Sequence, residues 1–188
     1  KLFEIAKDII EIAAQRELTN APVIRSDFEE LDLFCDDAGF AYTDDQDKSI
    51  SEIFVDLKSG KVMDRLLSGD VGFGKTEVAM NAMFVAIKSG YQSAMIAPTT
   101  LLVSQHFKGI KERLSKYGLR VVKLDRFTSA KEKSSILREI KSGEVDLCIG
   151  THAILGVEFN NLGLLIIDEE HKFGVKQKEK LKNLRADM

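Results

Sequence analysis

The sequence predicts an α/β fold: a doubly wound, mostly parallel sheet with helices on both faces, preceded by a helical N-terminal extension. Three observations carry this. From residue 62 onward, short apolar runs alternate with amphipathic helical stretches, the pattern of strands joined by crossover helices. The runs Ala94-Met95-Ile96-Ala97 and Leu164-Leu165-Ile166-Ile167 are apolar at every position, as strands covered on both faces must be. Residues 69–76 read Gly-Asp-Val-Gly-Phe-Gly-Lys-Thr, the strand-to-helix turn G-x-x-x-x-G-K-[ST], which needs glycine because successive backbone N–H groups turn inward around an anion.

Each element has its own local reason. Residues 1–17 place Leu2, Ile5, Ala6, Ile9 and Ala13 at helical spacing, and Phe3, Ile10 and Ile12 widen the stripe beyond one face, so this helix wants more than one neighbour. Thr19 to Arg25, with Asn20 and Pro22, reads as a linker. Ser26…Glu29, Thr43…Gln46 and Ser129…Glu132 are capping boxes that predict helix starts. The first opens a helix with Phe28, Leu31, Phe34, Cys35 and Ala38 on one face, closed by Gly39; the second turns Ile50, Ile53, Phe54 and Leu57 inward and ends at Ser59-Gly60. Strands are expected at 64–68, 93–97, 120–124, 145–149 and 163–167. Helices are expected at 76–88, 100–116, 130–141 and 175–186, with Gly90, Gly118 and Gly143 as stops. The chain thus divides into a helix and linker over 1–25 and a single lobe over 26–188.

At 188 residues there is enough chain for one substantial core. The first residue is Lys1, which suggests a piece of a longer protein. No apolar run approaches the ~20 residues of a membrane span and no signal-like leader opens the chain, so a cytoplasmic protein without membrane contact is expected. Cys35 and Cys148 match no metal spacing, and Cys148, inside an apolar run, reads as a buried free thiol. The formal charge is −3, yet its distribution is uneven: residues 1–70 carry 8 Lys/Arg against 17 Asp/Glu, and residues 71–188 carry 19 against 13. The basic second half permits contact with a phosphate backbone without requiring it.

The chemistry concentrates where strands end. In the glycine-rich turn Lys75 is placed to reach β and γ phosphates, Thr76 to offer its hydroxyl to Mg²⁺, and the following helix to put its positive end on the same anion. Leu164 to Ile167 runs into Asp168-Glu169-Glu170-His171. A carboxylate at the mouth of a buried strand suits Asp168 to the Mg²⁺ shell and Glu169 to the attacking water. Together the two motifs describe a nucleoside triphosphatase. Pro98-Thr99-Thr100, Asp125-Arg126-Phe127 and Gly150-Thr151-His152 also follow predicted strands, and in an open parallel sheet that edge is where ligands bind. His106, in mid-helix, reads only as a partly buried face. His171 has no His or Cys partner at ligand spacing, which speaks against a metal site.

These motifs give the chain a strong likeness to a known family. The run Met63 to Ala79, Pro98-Thr99-Thr100-Leu101-Leu102, Arg126-Phe127 before Ser129-Ala130-Lys131-Glu132, Gly150-Thr151-His152, and Asp168 to Val175 resemble the first RecA-like motor lobe of superfamily 2 helicases and translocases. Within these it most resembles the bacterial transcription-repair coupling factors. The resemblance spans essentially the whole chain and implies a P-loop ATPase lobe working with ATP and Mg²⁺ on double-stranded DNA. Lys75, Asp168 and Glu169 would be catalytic, with Thr76 and Asp168 holding Mg²⁺. Gly69, Asp70, Val71, Gly72, Phe73, Gly74, Lys75 and Thr76 would cradle the phosphates. Gln46 would read the adenine edge and Phe40 stack on the base; capping alone for Gln46, and a core position for Phe40, are the competing readings.

Pro98, Thr99, Thr100, Arg126, Gly150, Thr151 and His152 would track the DNA backbone. A competing reading has Thr100 simply capping its helix, and both can hold. His171 would couple the nucleotide and DNA sides. The resemblance implies that the family's Ser/Thr-Ala-Thr segment, motif III, and its second motor lobe with arginine fingers would follow beyond Met188, and that RNA polymerase and repair proteins would be contacted through other regions. Without the motif III strand, a gap is expected between the strands ending at Gly69 and Asp168. That gap and the apolar first helix predict either self-association or filling of the gap by residues 173–188. A branch-migration or replication-restart helicase shares most of the motifs. A nucleotide-binding fragment without turnover is the reading from a different class.

Overall fold

The computed structural model describes residues 20–27, 29–69 and 74–174, the side chain of His171 excepted. The helices expected at 1–17 and 175–186 lie outside those residues.

Four strands form one parallel sheet: β1 (Gln92–Ile96), β2 (Val121–Leu124), β3 (Leu147–Gly150) and β4 (Leu162–Ile167), in the order β2-β3-β1-β4. Helices α1 (Glu29–Asp36), α2 (Asp44–Lys58), α3 (Lys75–Lys88), α4 (Thr100–Ser115) and α5 (Ala130–Ser142) surround it. Central β1 is buried at every position, which is why its sequence does not alternate in polarity. Successive side chains of β1 serve opposite layers. Met95 joins Val85, Val103, Ile110 and Leu114 beneath α3 and α4, whereas Ala94 and Ile96 join Val122, Ile136, Ile140 and Cys148 beneath α5.

Two of the three capping boxes are realised in full or in part. Thr43 Oγ1 accepts from Gln46 N while Gln46 Oε1 accepts from Thr43 N, and Ser129 Oγ accepts from Glu132 N. The first helix begins at Glu29 rather than at Ser26. Residues 20–25, expected as a linker, are strapped to the end of α2: Asn20 bridges to Lys61, Ala21 N donates to Gly60 O, Ile24 N donates to Leu57 O, and the Ile24 side chain is buried.

The strand expected at 64–68 is not formed. A parallel strand exists only by its ladder to a neighbour, and among the described residues nothing pairs with the outer edge of β4. Residues 62–69 instead run irregularly along α2, held by Arg65 to Glu52 and Asp56 at 2.6 and 2.7 Å. Met63 and Leu67 rest on the core, while Leu66 is 89% exposed.

The register places the C-terminal ends of all four strands level. Leu124 pairs with Gly150, Gly150 with Ile96, and Ile96 with Ile167. Every residue that follows a strand therefore emerges on the same edge.

Candidate active site and nucleic-acid edge

Along that edge the segments occur in a fixed order. Arg126 follows β2, Thr151 and His152 follow β3, Pro98-Thr99-Thr100 follow β1, and Asp168-Glu169 follow β4. Three neighbouring strand ends carry the predicted phosphate-tracking residues, and the fourth carries the acidic pair.

Local rules fix each of them. Asp125 is buried; its Oδ1 accepts from Phe127 N at 2.8 Å and its N donates to Thr128 Oγ1, a tight Asx turn that leaves Arg126 and Phe127 exposed, with the guanidinium 4.7 Å from the ring centre. Gly150 is required by close approach, since a Cβ there would lie 2.1 Å from the Leu124 carbonyl oxygen. Thr151 is buried and caps the 3₁₀ turn His152–Ile154, while His152 is exposed. The cap of α4 is Thr99, whose hydroxyl accepts from Leu102 N at 3.2 Å. The expectation that Thr100 caps this helix is corrected by one residue, because Thr99 has the extended backbone a cap requires and Thr100 is already helical.

On the nucleotide side, Asp70, Val71, Gly72 and Phe73 lie outside the described residues, but both ends of the loop are visible. Gly74 adopts the left-handed conformation at φ 68° and opens α3 without any side-chain cap. Lys75 Nζ donates to the carbonyl of Gly69, closing the loop on itself. Gln46 is buried with its amide against the loop, and a Cβ on Gly74 would sit 2.2 Å from Gln46 Nε2. Its oxygen is committed to the capping box while its nitrogen faces the loop, so the capping and loop-facing geometries hold together. Phe40 is 54% exposed, edge-on to Tyr42; it is not a core residue.

Asp168 N donates to Ile96 O, which pins the acidic pair to the end of β1. His106 Nε2 lies 2.7 Å from Asp168 Oδ2. That hydrogen bond holds the Asp168 carboxyl below its ordinary range against the opposing effect of partial burial, with smaller help from the Glu169 backbone and the Lys75 charge. Reading the sequence alone missed His106: 62 positions separate it from Asp168, and a single histidine on an amphipathic helix carries no local signal. Glu169 is the one non-glycine residue with positive φ among those described, at φ 48° and ψ 48°, and its carboxylate pairs with Lys172 at 2.5 Å. A left-handed glutamate costs on the order of 1–3 kcal/mol, and such strain gathers at functional positions. The backbone of His171 lies in the 3₁₀ turn Glu170–Lys172.

Behind the loop lies a network that the sequence did not announce. Glu77, one residue after Thr76, is buried; both its oxygens accept from Arg113 of α4, and Tyr42 Oη donates to it at 2.5 Å. Asn81 Nδ2 donates to Tyr42 Oη and to the Glu77 carbonyl, and Arg113 also donates to the Phe34 carbonyl with its guanidinium 4.1 Å above the Phe34 ring. The network locks α1, α3 and α4 together.

Residues 43–188 match the DEAD/DEAH box helicase family. The chain belongs to that family. Among curated relatives, this helicase lobe is 57% identical over 184 residues to the transcription-repair-coupling factor of Helicobacter pylori (strain J99), covering 98% of the chain and 18% of the relative. It is 44% identical over 190 residues to the transcription-repair-coupling factor of Escherichia coli (strain K12), covering all of the chain and 17% of the relative. The chain thus spans less than a fifth of these relatives. Among solved structures, RecG bound to a three-way DNA junction aligns over 87% of the lobe and 23% of that chain, with a TM-score of 0.81 and 37% identity. A hypothetical ATP-dependent RNA helicase from Sulfolobus tokodaii aligns over 83% of the lobe and 46% of that chain, with a TM-score of 0.63 and 19% identity, a likeness of fold. No helix among the described residues is long and apolar enough to cross a membrane.

Proposed function

We propose that this is the N-terminal ATP-binding motor lobe of a double-stranded DNA translocase that acts in transcription-coupled repair and displaces stalled RNA polymerase, working in the cytoplasm with a second motor lobe. The observation that carries the reading is the level row of strand ends, which puts Asp168-Glu169 beside Thr99-Thr100, with Lys75 close enough for its charge to act on Asp168.

The residues present fit Mg²⁺ and a nucleoside triphosphate. Mg²⁺ usually takes one or two protein ligands and completes its shell with phosphate and water, and the hydroxyl of Thr76 in the first turn of α3 and the carboxylate of Asp168 at the mouth of β4 are such a pair of oxygen donors. Thr76 and Asp168 would hold it; when bound, it neutralises charge on the transferring phosphoryl group. Lys75 exchanges its bond to the Gly69 carbonyl for phosphate oxygens, and the uncapped start of α3 faces the same anion. Glu169 orients the attacking water. Gln46 offers its amide nitrogen and the second lone pair of its oxygen to the adenine edge, and exposed Phe40 covers the base. Asp70, Val71, Gly72 and Phe73 complete the cradle. Pro98, Thr99, Thr100, Arg126, Gly150, Thr151 and His152 bind phosphates along the DNA without reading bases, and His171 joins the two sides.

A motor must hydrolyse ATP faster on DNA. In a full-length chain carrying this lobe, DNA-stimulated turnover is expected to vanish in Lys75→Ala, while Glu169→Gln binds ATP and does not cleave it. Normal turnover by the Glu169→Gln protein refutes the assignment. The lobe alone is expected to be almost inactive, since arginine fingers supplied from elsewhere contribute roughly 10³–10⁵ in rate. The RecG likeness supports branch migration as a second reading; the higher identity to coupling factors, 44–57% against 37%, favours the first. Activity on a stalled polymerase rather than on a branched junction separates them.

A further inference from the structure

Helix α4 touches both functional surfaces. Its cap, Thr99, stands on the candidate DNA edge, and His106 reaches Asp168 at 2.7 Å. Seven residues separate the two positions. Seven steps of an α-helix fall about 20° short of two whole turns and advance about 10 Å, so both lie on one face of one rod. The rod is well anchored, with Val103, Ile110 and Leu114 fully buried.

An ionised carboxylate only accepts hydrogen bonds, so the proton between these groups sits on His106 Nε2, and His106 donates to Asp168 Oδ2. A carboxylate has about four lone-pair sites, which leaves Asp168 room for a metal or a metal-bound water. We propose that His106 is the positioning residue that links DNA engagement at the start of α4 to the orientation of the Asp168 carboxylate. The proposal rests on the reading of Asp168 as the magnesium carboxylate. A phosphate gripped at Thr99 and Thr100 biases the axial position of α4, and through it the His106 contact. Hydrogen bonds weaken steeply once distance or angle departs from ideal, so a shift of an ångström suffices to release or secure Asp168. Orienting groups of this kind typically change metal affinity or activity 10–100-fold.

The test uses a full-length chain carrying the lobe, in wild-type, His106→Ala and His106→Gln forms; the Gln amide keeps a donor. Two quantities are read: the affinity for a non-hydrolysable fluorescent ATP analogue in Mg²⁺ and in EDTA, and the stimulation of ATP turnover by duplex DNA. The expected result for His106→Ala is an unchanged affinity in EDTA, a Mg²⁺-dependent gain reduced about 10–100-fold, and DNA stimulation reduced to a similar degree, with Gln restoring much of both. An unaltered Mg²⁺-dependent gain overturns the proposal. So does unaltered DNA stimulation, which removes the link even if Asp168 is disturbed, and so does an equal loss in EDTA and Mg²⁺ that Gln does not restore, which marks a purely structural contact. A wild-type protein lacking any Mg²⁺-dependent gain overturns the ATPase reading itself.

Discussion

Arg113→Met leaves the buried Glu77 carboxylate without its cation, and the structure sets the size of the penalty. The side chains of Arg113 and Glu77 are only 9% and 6% exposed, so water cannot replace the lost partner. Breaking a buried pair from one side typically costs about 3–5 kcal/mol, because a charge stays behind in a poor solvent. The same substitution also orphans the Phe34 carbonyl and removes the guanidinium from the Phe34 ring. For a domain of this size each kcal/mol lowers the melting temperature by about 2–4 °C, so a fall of roughly 6–20 °C is expected. Thermal unfolding followed by far-ultraviolet circular dichroism reads it. Adding Glu77→Gln removes the stranded charge and leaves Tyr42 an acceptor, so the double variant is expected to recover more than half of the loss. A fall below about 2 °C for Arg113→Met, or a double variant no better than the single one, would refute the account of Glu77 as a charge held in place by Arg113.

Gln46→Ala is expected to weaken ATP more than GTP in equilibrium binding, because an amide that donates to N7 and accepts from the N6 amino group with the second lone pair of its oxygen matches adenine and not guanine; equal losses would leave Gln46 with its capping role alone. Thr99→Ala and Arg126→Ala are each expected to lower DNA affinity to a similar extent on all sequences, with Arg126→Ala reducing the slope of log affinity against log salt by about one; a sequence-selective loss would mean that these residues read bases. Burial pushes the Cys148 thiol up to about 12, whereas half-buried Cys35 is raised less. Because the thiolate is the reactive form, iodoacetamide on the native protein is expected to modify Cys35 well before Cys148, as peptide mass spectrometry can show. Equal labelling would mean that β3 opens readily.

The sheet was legible because its strands are uninterrupted apolar runs and α2 and α5 carry the side-chain caps their sequence announces; β1, β2, β3 and β4 fall within two residues of their expected starts and ends. Convergence of the strand-end motifs was legible too, since a parallel sheet delivers them to one edge. What failed depended on partners distant in sequence. Residues 64–68 have the composition of a strand but no neighbour to pair with among the described residues. Thr99 and Thr100 are equally good caps, and only backbone geometry chooses between them. Glu77 and Arg113 look like ordinary helix-surface charges 36 positions apart, and His106 looks like one more polar residue, until the fold sets each against its partner.

The level ending of the strands also acts as a ruler. Neighbouring strands stand 4.7–4.9 Å apart, so the ends of β2, β3 and β1 together span about 10 Å. On the proposed reading, in which these three loops follow one strand of a duplex, a span of that length along the duplex axis, at 3.4 Å of rise per nucleotide, would match on the order of three phosphates. So short a handhold cannot be released and retaken by the same lobe without losing the track. A motor built on this grip would need a second one that holds while this one resets, with a stride confined to a few nucleotides.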